Sequence, residues 1–293
     1  MITDQDLIAQ FMSNTGETVE VLKIDPPEAE AAAYAETHCG VISGSTVAAL
    51  CTYQPDIASI EQLENDIEEL THKIESSVSG KTKTATEARD SKQRQLDRML
   101  SDELPGGANE LCYVLAMKRF TGYSAELDAE RTTKEMQYGK KYESMAVDAL
   151  LSVYDNLDIR YTKENQKFVK LGDYEFVGCT PDGVIYVDDK PIQTLDIKCP
   201  FNRVIHARDN LLIKSFADFK TKYPVYYWQF TMQMICLDVT SHSFVSFNQF
   251  FPANLRLIKH DFVLVQQDAD FMLERIAKAE KLIAVIIADL MEV

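Results

Sequence analysis

Ile60, Leu63, Ile67, Leu70 and Ile74 recur at spacings of 3, 4, 3 and 4 with acids between them, which predicts an amphipathic helix carrying a short heptad seam. SSVSGKTKT (76–84) breaks that helix, and a second polar helix with Ala88, Leu96, Met99 and Leu100 follows, stopping before LPGG at 104–107. The pair predicts an antiparallel helical hairpin over 58–104, inserted into or laid on a larger domain. Upstream, VISGSTVAALC (41–51) predicts a serine-capped turn into a short apolar helix. Downstream, residues 109–154 are helical in period: ELCYVLAMKRFTG ends at a glycine, and KEMQYGKKYESMAVDALLSVYD puts Tyr142, Ala146, Ala149, Leu150 and Val153 on one face. The pattern then changes to strands, DIRYTKENQKFVKL, YEFVGC, VIYVD and QTLDIKC, with turns at TPDG and DDKP. An aromatic helix (223–237), two further strand-like segments within 241–265 and a long amphipathic helix (268–292) complete the chain. That last helix, with Phe271, Ile276, Leu282, Ile283, Ile286 and Leu290, reads as core or subunit contact, with docking of a partner as the alternative. The order of elements predicts a single α/β (α+β) domain over 1–293 with a central mixed sheet flanked by helices.

Composition narrows the class. The chain has 293 residues, 46% hydrophobic and 10% aromatic, enough for a sizeable core. A formal charge of −16 argues against a general nucleic-acid coat protein, yet allows an enzyme that grips DNA in a local basic channel. The cysteines, at 39, 51, 112, 179, 199 and 236, form no CxxC pair, so free thiols in a reducing compartment are expected and an iron–sulfur site is not. MITDQDLIAQFM has no basic n-region, and LIAVIIADLM (282–291) is too short to cross a bilayer and contains Asp289. A soluble cytoplasmic protein is the expectation.

The candidate chemistry lies in GCTPDG (178–183) and LDIKCP (195–200). Residues two apart share a strand face, so Asp196 and Lys198 point the same way, and pairing of strands 174–179 and 193–199 would bring Asp182 beside them. Two carboxylates and an ammonium together make sense around a divalent cation, since adjacent carboxylates otherwise repel until one protonates. Mg²⁺ prefers such oxygen donors; the Ile197 carbonyl can bend toward the ion, and Lys198 can orient or deprotonate a water. Each fragment has a plainer meaning: TPDG is a good turn, DxK an edge-strand charge pair. Glu143, one position from the Tyr142/Ala146 face, is a candidate third acid, although a glutamate on a charged helix is by default solvated.

With these residues the chain resembles the phage λ exonuclease / YqaJ-type viral recombinase family of the PD-(D/E)xK nuclease superfamily. GVISGSTVAAL (40–50) is similar to the family's "GxITAS" segment, MQYGKKYESMAVDALL (136–151) to its "WGxxYExxA" helix, GCTPDGVI and LDIKCPF to its "PDG" and "(E/D)xKCP" motifs, and YYWQFTMQM (226–234) to its "YxxQxQxxM" helix. The resemblance implies a restriction-endonuclease-like core, with 58–104 the largest departure. It implies metal ligation by Asp182, Asp196, the Ile197 carbonyl and Glu143, with Lys198 catalytic. Gln229 would hold the lysine, water or phosphate, and Ser45 would bind a DNA phosphate. His38 stands where the family usually has an arginine for the 5′-phosphate, leaving Arg119 or Arg131 as other sources of charge; Met136 aligns with an apolar residue that wedges the duplex apart, or simply packs. Lys134, Lys140, Lys141, Lys163, Lys167, Lys170 and Arg203 are candidates for a basic DNA channel. The implied protein is a Mg²⁺-dependent (two ions, with Mn²⁺ a substitute) 5′→3′ exonuclease. It would act on double-stranded DNA ends as a ring-shaped homotrimer, passing a 3′ single strand to an annealing protein. The alternatives are a structure-specific or restriction-like endonuclease on the same metal core, and a catalytically dead DNA-end or protein-binding module working through the hairpin.

Overall fold

The computed structural model describes residues 39–51, 57–76, 82–100, 103–122, 134–154, 157–160 and 167–292. Two sheets organise it. The smaller has the order β1 (Ile42–Ser43), β4 (Val177–Cys179), β3 (Val169–Lys170), with β1 parallel and β3 antiparallel to β4. The larger is mixed, in the order β2 (Asp158–Ile159), β5 (Gly183–Val187), β6 (Lys190–Lys198), β7 (Ser241–Phe247), β8 (Leu257–Val263). Its one parallel pair is β6 with β7. That pairing requires a long crossover, which consists of α6 (Arg203–Leu212), α7 (Phe216–Lys222) and α8 (Pro224–Cys236).

The expected pairing of 174–179 with 193–199 does not occur. Strand β4 belongs to the small sheet, and β6 instead pairs with β5 in a tight hairpin, Gly183 opposite Leu195 and Val187 opposite Lys190. Its two-residue turn, within the predicted DDKP, holds Asp188 at φ 48° and Asp189 at φ 60°. This is the left-handed pair that matches strand twist and that aspartate tolerates better than most residues. Asp182 therefore reaches β6 from the residue preceding β5, without help from β4.

Helices cover the sheets. In the main core α8 supplies Tyr227, Trp228, Phe230, Met232 and Met234, all buried. It is started by Pro224 in its first turn, where a missing N–H costs nothing. Around it pack α1 (Val47–Cys51), α4 (Gly106–Thr121) and the long α9 (Gln266–Met291), whose Met272, Ile276, Ala279 and Ile283 face inward, the core alternative of the sequence reading. On the other face of the large sheet, α5 (Lys134–Val153) lays Tyr142, Ala146 and Leu150 against Leu195, Ile197, Val245 and Phe247. Helices α2 (Ile57–Glu75) and α3 (Lys83–Leu100) pack antiparallel, Leu63 and Leu96 meeting beside Ile60 and Ile67, with Lys92 Nζ 2.6 Å from Asp66. Leu70 and Ile74 are only half-buried and outside that cluster, so the seam is shorter than its heptad spacing suggests. No described helix is long and apolar enough to cross a membrane.

Arg119, one of the sequence candidates for a phosphate-binding charge, is committed elsewhere. Its side chain is 8% exposed, makes a two-pronged pair with Glu280 of α9 (2.6 and 2.9 Å) and donates from Nε to the Gly40 carbonyl at 2.8 Å. A Cβ on Gly40, whose φ is +68°, would come within 2.4 Å of Arg119 Cγ. The guanidinium thus ties the start of the described chain to α4 and α9. Arg119→Ala is expected to lower stability by about 3 kcal/mol, the scale for orphaning one partner of a buried pair; a urea midpoint unchanged from wild type would contradict this role.

Candidate active site

Strand alternation builds the site. On β6, Leu195 and Ile197 face α5, so Asp196 and Lys198 face α8. Asp196 is fully buried, and two amides of α8 one turn apart, Gln229 Nε2 and Gln233 Nε2, donate to its Oδ2 at 3.2 and 3.3 Å. Its Oδ1 is in ion-pair contact with Lys198 Nζ yet receives no hydrogen bond. The ion contact and the missing bond agree if the ammonium sits close but off the lone-pair directions. Asp182 Oδ2 lies 3.6 Å from Lys198 Nζ and accepts from the Ile197 N–H at 2.9 Å. Because N–H and C=O of one strand residue point to the same side, the Ile197 carbonyl is also directed toward Asp182, beyond the end of β5.

The electrostatics are those of two acids sharing one cation. Burial first, then the charge of Asp182, push the Asp196 carboxyl up to about 7, with Lys198 and Gln233 opposing. Burial works against the Lys198 ammonium but is outweighed by Asp196 and Asp182, which hold it firmly protonated. Beneath them His242, stacked 3.9 Å from the Phe230 ring and bonded to Thr194 Oγ1 at 2.7 Å, is driven well below its usual range by burial and by Lys198, and is therefore neutral. Burial, with help from Glu143, pushes the Cys199 thiol up to about 12, which removes it as a nucleophile.

The site opens into a cleft of about 1320 Å³ at the carboxyl end of β6, a position where open α/β sheets place ligands. Asp182, Ile197, Lys198 and Glu143 all line it. Among the described residues no three of the His, Cys, Asp and Glu side chains close into a ready metal cage; Glu143 faces the cleft without completing one. The donors present still suit a hard cation. They are two carboxylates and a main-chain carbonyl aimed at the same side, with Lys198 Nζ standing at one oxygen of Asp196. Magnesium, which keeps several waters and takes one or two carboxylates, does not require a full protein cage.

The other sequence candidates are distributed as follows. Lys140 and Arg203 line the cleft, whereas Lys134, Lys141, Lys167 and Lys170 do not. Ser45 is exposed in the loop between β1 and α1, bonded to Ser43 Oγ at 2.9 Å. A Cβ on the preceding Gly44 would stand 3.2 Å from Gln229 Cγ, so that loop abuts the glutamine that touches Asp196. His38, Arg131 and Lys163 lie outside the described residues, as does the side chain of Met136. Sequence reasoning left Gln233 without a role, although its four-residue offset from Gln229 was the signal. Tyr226, partly buried against the core, also lines the cleft, its ring 5.3 Å from Lys198 Nζ in cation–π contact.

Residues 33–242 match the YqaJ-like viral recombinase domain, and the chain belongs to that family. Among solved structures it is similar to an alkaline exonuclease from Laribacter hongkongensis (TM-score 0.52, 15% identity), covering 89% of this chain and 98% of that one. The same exonuclease in complex with dAMP gives TM-score 0.53 and 16% identity over the same shares. A phage-related exonuclease from Haemophilus somnus 129PT gives 0.48 and 19%, over 64% of this chain and 86% of that one. No curated protein matches. The fold is thus similar to that of the alkaline exonucleases, a mixed α/β fold in keeping with the expected class.

The raised Asp196 makes stability depend on pH. A carboxyl at about 7 in the folded chain and near 3.8 when free binds protons more tightly folded than unfolded, so its contribution is fully present below about pH 4 and is lost as pH rises through about 7. In EDTA, the stability difference between wild type and Asp196→Asn is expected to shift against the wild type over that window; a difference independent of pH would contradict the buried, charge-disfavouring setting.

Proposed function

We propose that the chain is a Mg²⁺-dependent 5′→3′ exonuclease of double-stranded DNA. It would hydrolyse one strand to mononucleotides and leave a 3′ tail for single-strand annealing. The carrying observation is the buried Asp196 set between Lys198 and two glutamine amides, with Asp182 and the Ile197 carbonyl turned to the same side of a cleft. A bound divalent cation supplies a water of lowered pKa and polarises a phosphoryl oxygen. Asp182, Asp196 and the Ile197 carbonyl would hold it, with Glu143, which lines the same cleft, as a further acid. Gln229 and Gln233 fix the Asp196 carboxylate. Lys198, kept charged by both aspartates, orients the attacking water and stabilises negative charge growing on the phosphate. Lys140 and Arg203 attract the backbone at the cleft rim, and Ser45, Met136, His38 and Arg131 are assigned to DNA contact from the family pattern alone. Two ions, tolerance of Mn²⁺, a homotrimeric ring around the duplex and transfer of the tail to an annealing protein belong to the same proposal. Membership of a recombinase family and the fold of proteins named alkaline exonucleases support it, as does the dAMP complex of the Laribacter protein, since a mononucleotide is the product expected here.

The same core would serve an endonuclease, and covalently closed duplex separates the two. End-labelled linear duplex, with and without a 5′ phosphate, is expected to release labelled mononucleotide in Mg²⁺ and none in EDTA, while closed circles stay intact. Lys198→Ala is expected to slow digestion at least ~100-fold, the scale for losing a positioned proton-transfer or charge-stabilising group. Digestion by that variant at the wild-type rate would overturn the assignment, and cutting of closed circles would make the protein an endonuclease.

A further inference from the structure

Part of the cleft wall is aromatic, and nothing in the hydrolytic chemistry uses it. Phe201 follows directly on the Lys198-Cys199-Pro200 segment and is 55% exposed; Phe250, from the loop after β7, is 54% exposed. Both line the cleft. They are joined by two tyrosines of α5: Phe201 meets Tyr138 edge-on at 5.3 Å, Tyr138 meets Tyr142 at 4.4 Å, and Tyr142 meets Phe250 at 6.4 Å. The Arg203 guanidinium lies 4.7 Å over the Phe250 ring. Tyr138 leaves over a buried hydroxyl with no hydrogen bond among the described residues.

This arrangement has a specific chemistry. Two large apolar rings exposed in one cleft make a surface that a flat partner can cover, and a ring held at its edge by another ring is oriented rather than free to turn. A planar, polarisable group stacks on such rings, and a guanidinium above one of them adds the positive charge that an accompanying phosphate would meet. The platform begins three residues from Lys198. A nucleobase whose phosphate lies at the carboxylates is the ligand that satisfies all three features: flat face, attached anion and short reach.

Taking the cleft as a nuclease site, we propose that Phe201 and Phe250 form a stacking platform for the base of the terminal nucleotide, holding that base out of the duplex stack while the phosphodiester on its 3′ side lies at Asp182 and Lys198. The rings read no sequence, because every base has a π-face. They give the enzyme a grip on the nucleotide it is about to release, and they make binding depend on the presence of a base at the end.

The test is a binding measurement on uncut DNA with Ca²⁺ in place of Mg²⁺, comparing duplexes whose 5′-terminal nucleotide is normal or is an abasic tetrahydrofuran. Phe201→Ala and Phe250→Ala are each expected to weaken binding of the normal end about tenfold, as for removal of one base–aromatic stack, and to leave the abasic end nearly unaffected. Phe250→Trp is expected to restore the preference. Equal losses on both ends, or no loss on the normal end, would overturn the platform. So would a changed sedimentation coefficient in the alanine variants, which would make the rings a contact between copies. Cleavage is read separately. Wild-type protein that leaves linear duplex intact in Mg²⁺ but keeps the base-dependent affinity would lose the hydrolytic reading and retain the platform.

Discussion

The structure turns on one carboxylate taken wholly out of water. Asp196 sits at the end of a central strand, where its charge is opposed by burial and by Asp182, and where a single lysine cannot neutralise both acids. The surrounding groups answer that constraint. Two glutamines one helical turn apart satisfy one oxygen, the ammonium of Lys198 stands at the other, and Tyr226 faces the lysine from the cleft side. A buried acid so placed is destabilising as an isolated feature, and a divalent cation bound at its second oxygen would remove the difficulty, which is what the proposed chemistry calls for.

The fold supplies the geometry through alternation and crossover. Period-two alternation on β6 sends Ile197 into the α5 packing and Asp196 and Lys198 toward α8. The parallel pairing of β6 with β7 demands a connection long enough to return to the same edge, and the helices of that connection roof the site. Phe201 and Arg203 stand at the start of the connection, so the residues that would grip a nucleotide are placed by the same segment that closes the topology. The overall charge of −16 does not by itself exclude a DNA substrate: Lys140, Lys198 and Arg203 line the cleft beside Glu135, Glu143, Asp182 and Asp209, and a divalent cation bound among these acids would offset their charge toward a phosphate.

Much of this was legible in the residue pattern, for physical reasons. Periodicity gave away α2, α5 and α9, and the DDKP turn had the chemistry its left-handed residues require. The pairing of strands was not legible: β4 and β5 are separated only by a short bend, and nothing local says that the chain changes sheets there. Helices α6 and α7 were hidden as well, since both are short and their apolar residues are irregularly spaced. Their caps, Asn202 accepting from the Val204 N–H and Ser215 from the Asp218 N–H, were the signals to weigh. The pairing of Arg119 with Glu280, 161 residues away, could not be seen in any window of sequence. The acid–x–lysine motif was found because strand periodicity alone fixes its geometry, whereas the aromatic wall is assembled from α5, the end of β6 and the loop after β7.

The most direct test of the central claim is to grow crystals with Mn²⁺ and locate the ion by its anomalous scattering. The account predicts a peak bonded to Asp182 and Asp196, with the Ile197 carbonyl among its ligands and Lys198 displaced from Asp196. A well-ordered structure at saturating Mn²⁺ with no peak between those two carboxylates would contradict it.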